Sequence, residues 1–160
     1  MHLVLVLVAA VLVTQPAVER ANFTGSWHMV AARSGSPTQN SPVTEMTFVI
    51  DHAADQIRLD ITTAGRTLSE TYPIIAAPKA TVDPIGGDER RAYWDGARLV
   101  VERGGTISGQ TVSSRQALTL NADGSEMTVE RLVIVQHGYS LRGARNYATV
   151  KDVFTRAQRH

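Results

Sequence analysis

Cysteine is absent from this chain of 160 residues. Its absence excludes disulfide bonds, thiolate metal sites and cysteine nucleophiles together. The sequence has no run of like charge, and 16 basic residues balance 15 acidic ones, which argues against general nucleic-acid binding. It also lacks an amphipathic helix pattern and a Gly-x-Ser-x-Gly nucleophile motif. These absences leave one globular domain in which no catalytic residue can be assigned.

An apolar run from Leu3 to Val13 is the longest hydrophobic stretch of the sequence. At about eleven residues it is short for a bilayer span and has the length of a signal-peptide core. We therefore predict a signal peptide over residues 1–21 and one domain over residues 22–160, with no membrane span once the signal is removed. An apolar first strand and an uncleaved anchor are the alternatives. The signal predicts a secreted or periplasmic protein, and the lack of cysteine favours a bacterial one.

The remaining chain alternates apolar and polar residues with a period of two, the pattern of half-buried antiparallel strands. Asp95-Gly96 is the strongest hairpin signal between such segments. From Pro73 to Asp88, three prolines and a Gly-Gly pair exclude a central strand and predict an irregular crossing. The predicted strands are Trp27–Ala32, Met46–Asp51, Ile57–Thr62, Thr67–Tyr72, Arg90–Trp94, Leu99–Glu102, Gln116–Leu120, Met127–Val135 and Tyr147–Phe154.

Hairpin-linked strands of this number predict an all-β fold, a single antiparallel up-and-down β-barrel of about eight to ten strands. Closure into a barrel is favoured because it removes the exposed sheet edges. A sandwich with Greek-key connections is the alternative architecture.

Charged residues within the strands raise a separate question about the barrel interior. The alternation places Asp60, Glu70, Glu102 and Glu130 on the solvent face. Arg131 interrupts an apolar strand, which predicts either a bulge that returns it to solvent or an inward arginine that needs an acidic partner or an anionic ligand. An inward Arg131 would form a carboxylate-binding pair with Arg115.

Four short motifs occur in order along the chain: Phe23-Thr24-Gly25-Ser26-Trp27, the Trp94-Asp95-Gly96 hairpin, the Asp123-Gly124 turn and the final Phe154-Thr155-Arg156. Together they resemble the motifs of small secreted bacterial lipocalin-like (calycin) barrels. The resemblance implies that Gly25 and Trp27 seal one end of the barrel. It further implies that a late arginine stacks on the indole, with Arg156 as the first candidate and Arg145 as the second. It supplies a fold and no established activity.

A binding protein is the function that this fold favours, with a small, mainly apolar molecule held in the barrel cavity. The predicted lining is Phe48, Ile50, Leu59, Ile61, Tyr93, Trp94, Leu99, Leu118, Met127 and Arg131. The same residues describe a filled core equally well. The alternatives are an envelope interaction protein that uses its loops, for example a protease-inhibitor-like barrel, and a barrel-cavity enzyme. No cofactor and no metal site are predicted, because His28, His52, His137 and His160 lack metal-ligand spacing.

Overall fold

The computed structural model describes residues 20–35, 45–79, 85, 87–136 and 145–157. These residues form nine β-strands and one short 3-10 helix, Ala31–Arg33. The predicted signal peptide falls almost entirely outside them, as do His137 and His160. In chain order the strands are β1 Gly25–Met29, β2 Met46–His52, β3 Gln56–Thr63, β4 Arg66–Pro73, β5 Arg90–Asp95, β6 Arg98–Ile107, β7 Gln110–Leu120, β8 Glu126–Gln136 and β9 Arg145–Arg156.

Two antiparallel meanders, β1 to β4 and β5 to β9, make up the sheet. They are joined where β1 pairs with β9, and the complete order is β4-β3-β2-β1-β9-β8-β7-β6-β5. The sheet curls into a nearly closed barrel, so that β4 and β5 come together at its two edges. The prediction of an all-β, antiparallel up-and-down barrel of eight to ten strands is confirmed. No helix among the described residues is long and apolar enough to cross a bilayer.

The odd number of strands explains why the two edges of the sheet meet in parallel orientation. Nine strands paired antiparallel leave the first and last of the order, β4 and β5, running in the same direction. They meet in an isolated parallel bridge between Ile74 and Ala92, where the Ile75 amide donates to the Ala92 carbonyl over 2.8 Å. Parallel neighbours need a crossover connection, and this is the role of the irregular segment after β4. We call this β4–β5 boundary the seam.

Trp27 lies at the end of the barrel where β1 begins, which we call the closed end. Its indole is fully buried and donates to the Phe23 carbonyl over 2.9 Å. Arg156 covers the ring, with its guanidinium carbon 4.3 Å from the ring centroid. Its nitrogens donate to the carbonyls of Thr24 over 2.7 Å and of Gly124 over 2.9 Å.

Gly25 makes this close approach possible. A Cβ at this position would lie 3.2 Å from the Arg156 Nη1 atom, and the backbone φ of 144° is one that side chains rarely adopt. The structure thus gives Gly25, Trp27 and Arg156 a joint position at the closed end.

Several predicted strand bounds differ from those in the structure. β1 ends at Met29 and the chain then turns into the 3-10 helix, so Ala31 is not a strand residue. β6 and β7 extend well beyond their predicted ends, because Gly104 and Gly105 lie in β6 paired with Ser113 and Val112. The predicted alternative of a bulge at Arg131 is wrong, because β8 pairs residue for residue with both β7 and β9.

We expect the substitution Arg156→Leu to lower the free energy of unfolding by about 2–4 kcal/mol, through loss of the cation–π contact and of charged hydrogen bonds to carbonyls. Urea denaturation followed by tryptophan fluorescence measures this loss. Arg98→Leu is the matched control, because Arg98 is exposed and, among the described residues, its ion pair is with Asp95 at a hairpin. A change of more than about 0.5 kcal/mol in the control, or none in Arg156→Leu, would contradict the closure role.

Candidate functional site

The barrel interior is divided into an apolar half and a partly open half. Residues directly opposite in antiparallel strands share a face, so the register identifies the inward positions. Next to the closed end, fourteen side chains that are each at most 2% exposed form one continuous cluster, which we call the apolar floor, and Trp94 and Leu120 pack against it partly buried. It comprises Phe23, Trp27, Phe48, Ile50, Ile57, Leu59, Tyr72, Ala92, Leu99, Val101, Leu118, Met127, Val129 and Phe154. This half is a packed core.

Toward the opposite end, the distal end, inward side chains become accessible. Ile61, Val133 and Ser114 are only partly buried, and Leu68, which is opposite Ile61, is 50% exposed. A cavity of about 210 Å³ lies here, lined in part by Arg103, Val112 and Ser114. Along the same strands, the inward side chains of the described residues are therefore packed less closely in the distal half than next to the closed end.

Five polar side chains lie inward between these two halves, and we call them the polar belt. They come from β4, β6, β7, β8 and β9 and are Glu70, Arg103, Gln116, Arg131 and Asp152. The alternation in the sequence predicts that Glu70 faces solvent, and this prediction is wrong, because Glu70 is 7% exposed. Its register with Leu59 places it on the inner face.

Glu70 connects the two sides of the seam. Its Oε2 accepts a hydrogen bond of 2.5 Å from the Tyr72 hydroxyl, and its Oε1 lies 2.6 Å from Arg103 Nη1 and 3.7 Å from Arg90 Nε. The Arg103 contact is an ion pair whose direction does not suit a hydrogen bond. Burial, followed by the hydrogen bond to Glu70, raises the pKa of Tyr72. The phenol therefore stays a neutral donor that holds the carboxylate in place.

Arg131 and Asp152 form the second ion pair of the belt. Arg131 Nη2 lies 3.2 Å from Asp152 Oδ2 and 3.7 Å from Met46 Sδ. Asp152 is 3% exposed, and burial raises the pKa of its carboxyl although Arg131 acts in the opposite direction. Of the two predicted alternatives, the structure has the inward arginine with an acidic partner.

Arg115 does not join Arg131, because it lies on the outer face of β7. There Arg115 Nε and Arg91 Nε each donate to Glu102 over 2.6 Å, and the Tyr93 hydroxyl donates over 3.1 Å. Glu102 is 2% exposed, so the expectation that it is solvated is wrong. Burial acts to raise its pKa, but the hydrogen bonds from Arg115 and Arg91 dominate and lower it.

The prediction that Tyr93 lines the cavity is wrong. It is opposite Val100 and bonded to Glu102, both on the outer face, so it does not line the interior. Trp94 does point inward, but next to the closed end, where its ring centroid lies 6.1 Å from that of Phe23 and 5.8 Å from that of His52.

The other predicted lining residues are divided between the two halves. Ile61 lies in the distal half and Arg131 in the polar belt. The rest, Phe48, Ile50, Leu59, Leu99, Leu118 and Met127, belong to the apolar floor. A further recess of about 970 Å³ lies outside the barrel at the closed end and includes Gly25 and Arg156. Because Arg156 is already engaged by three carbonyls, this recess is not our candidate site.

The two histidines in the described part of the chain, His28 and His52, lie away from the distal half. His28 is exposed on the outer face of β1, and His52 lies at the closed end, where burial and then the charge of Arg20 lower its pKa. Within the described ranges no three acidic or histidine side chains converge as metal ligands.

The first strand of the chain pairs with the last, next to the buried Trp27 indole and the Arg156 guanidinium stacked on it. The fold is a nearly closed antiparallel up-and-down β-barrel of nine strands. Comparison with protein-family models and with curated proteins gives no match.

Solved structures are similar to this barrel at low sequence identity. A variant of the fluorescent protein UnaG matches 86% of this chain and 97% of its own, with 12% identity and a TM-score of 0.49. Human cRBP IV matches 86% of this chain and 99% of its own, with 10% identity and a TM-score of 0.46. The REP1-NXSQ fatty acid transporter matches 86% of this chain and 97% of its own, with 10% identity and a TM-score of 0.43. At these values the likeness concerns the fold alone.

The substitution Arg131→Leu leaves Asp152 buried without its cation, so we expect the free energy of unfolding at pH 7 to fall by about 3 kcal/mol. A carboxyl whose pKa is raised in the folded state takes up its proton more readily there than in the unfolded chain. The loss therefore shrinks as the pH is lowered from about 7 to 4. Urea denaturation across this range measures both effects.

The control for this experiment is the double variant Arg131→Leu, Asp152→Leu, which removes both charges. We expect it to recover most of the stability lost in the single variant, because no uncompensated charge then remains. A double variant as unstable as the single one, or a loss that is independent of pH, would contradict the pairing.

Proposed function

We propose that this chain is a secreted or periplasmic binding protein that holds a small, mainly apolar molecule in the distal half of its barrel. The observation that carries the proposal is the difference in exposure along single strands. On β7, for example, inward Leu118 is 1% exposed. Inward Ser114, which lies two residues beyond Gln116 toward the distal end, is only partly buried. A concave site with apolar walls and a few polar groups is typical of small-molecule binding.

The walls of this half support a mainly apolar ligand. Ile61, Met46, Val112 and Val133 are inward and partly exposed, so a ligand that covers them removes apolar surface from water. The entrance lies at the distal end, because Trp27 and Arg156 occupy the other end. The polar belt limits how deeply the ligand enters.

Two inward carboxylates, Glu70 and Asp152, are the groups from which a barrel-cavity enzyme would be built. Each faces an arginine at 3.2 Å or less. Their charges are thus compensated within the barrel, and we assign them to its structure. Binding is therefore the function that we favour over an enzyme.

The binding site can be tested with Nile red, a neutral apolar dye whose fluorescence rises on leaving water. We expect saturable binding of one dye per chain. We further expect Val133→Trp, which fills the distal half, to weaken it at least tenfold. Leu132→Trp is the matched control, because Leu132 is the next residue of β8 and lies on the outer face.

The control variant should bind the dye as the parent chain does, and thermal denaturation should show that both variants are folded. Equal effects of the two substitutions would place the dye on the outer surface. That result, or an absence of saturable binding, would overturn the proposal.

The cellular location rests on the apolar run from Leu3 to Val13. Expressed in a Gram-negative bacterium, the chain should appear in the periplasm or medium with residues 1–21, or nearly so, removed. Intact-mass spectrometry of that fraction measures the cleavage. A full-length protein in the cytoplasm would contradict the predicted signal.

A further inference from the structure

Gln116 occupies the boundary between the two halves of the barrel. It is an inward residue of β7, opposite Val101 of β6 and Arg131 of β8. Val101 and the next inward residue toward the closed end, Leu118, are each 1% exposed and belong to the apolar floor. On the other side, inward Ser114 lines the distal cavity. A molecule that fills the distal half therefore meets Gln116 at its deepest point.

The side-chain carbonyl oxygen of Gln116, Oε1, is buried and has no hydrogen-bond partner among the described residues. An unpaired buried polar atom costs about 1–3 kcal/mol, and native structures contain few of them. A bound molecule that donates a hydrogen bond to this oxygen therefore gains free energy of this order.

The charged members of the belt are already paired with one another. Arg131 is neutralised by Asp152, and Arg103 by Glu70. A carboxylate placed beside Gln116 would approach these two acidic groups and add a negative charge that no unpartnered cation of the belt balances. An uncharged polar group adds no such charge.

We propose that Gln116 is the specificity-determining contact of the barrel, and that its ligand is an apolar molecule whose inner end carries an uncharged hydrogen-bonding group, an alcohol or an amide. This inference rests on the proposed binding function. An alcohol or primary amide both donates and accepts, so it can satisfy either end of the glutamine amide. The apolar remainder of the ligand then extends between the walls of the distal half.

The test uses three compounds of equal chain length, 1-dodecanol, dodecanamide and dodecanoate at pH 8, each displacing Nile red. In Gln116→Leu we expect the affinities for the alcohol and the amide to fall about tenfold. The affinities for dodecanoate and for Nile red itself should change less than twofold. Comparing variants ligand by ligand removes the difference in aqueous solubility between the compounds.

Gln56→Leu is the matched control, because Gln56 is exposed on β3 and undergoes the same chemical change. It should leave all affinities unchanged. The Gln116→Leu barrel should melt no lower than the parent chain, since the substitution removes an unpaired buried polar atom.

The outcomes separate this inference from the binding function beneath it. If Nile red does not bind the parent chain saturably, the binding function fails and the inference fails with it. If the dye binds but Gln116→Leu weakens all compounds equally, weakens none, or weakens dodecanoate most, the assignment of Gln116 is overturned while the binding function stands.

Discussion

Pairing between the first and last strands is the constraint on which this barrel depends. β1 is only five residues long, yet it joins the β2–β4 meander to β9 and so to the rest of the sheet. The contacts at its start are correspondingly dense, with the Trp27 indole buried, the Arg156 guanidinium over it, and Gly25 leaving room for both. Because a short strand offers few backbone hydrogen bonds, these side-chain contacts hold the closure in place.

The opposite side of the barrel is held in another way. Nine antiparallel strands leave β4 and β5 parallel, and within the described residues they meet in an isolated bridge between Ile74 and Ala92. Side chains add contacts there, since Glu70 reaches both Tyr72 on its own strand and Arg103 on β6. The proline that ends β4 is compatible with a strand at the edge of the sheet.

The polar belt divides the interior of the barrel by polarity. Two compensated ion pairs and one unpaired amide oxygen mark where the apolar floor ends and the accessible half begins. Buried ion pairs are weak contributors to stability. Under the proposed binding function, the belt sets the depth and the orientation of the ligand, which a barrel filled with apolar side chains throughout would not do.

The sequence by itself determined the strands, most of the turns and the two faces of most strands. These features are local, because a period of two and an Asp-Gly turn act over a few residues. It also predicted the closed end through the residues around Trp27 and the terminal Arg156. Alternation failed to place Glu70 inward because Leu68 and Tyr72 on either side are a weak apolar signal.

Only the tertiary structure decided which inward residues lie in the packed floor and which line the accessible half. The position of an inward residue along the barrel axis is set by the register between strands. The sequence pattern within one strand does not contain this information. For the same reason Asp152 could not be recognised as the partner of Arg131, from which it is 21 residues distant. The parallel seam likewise follows from the strand count of the complete barrel, a property that no single segment of the chain carries.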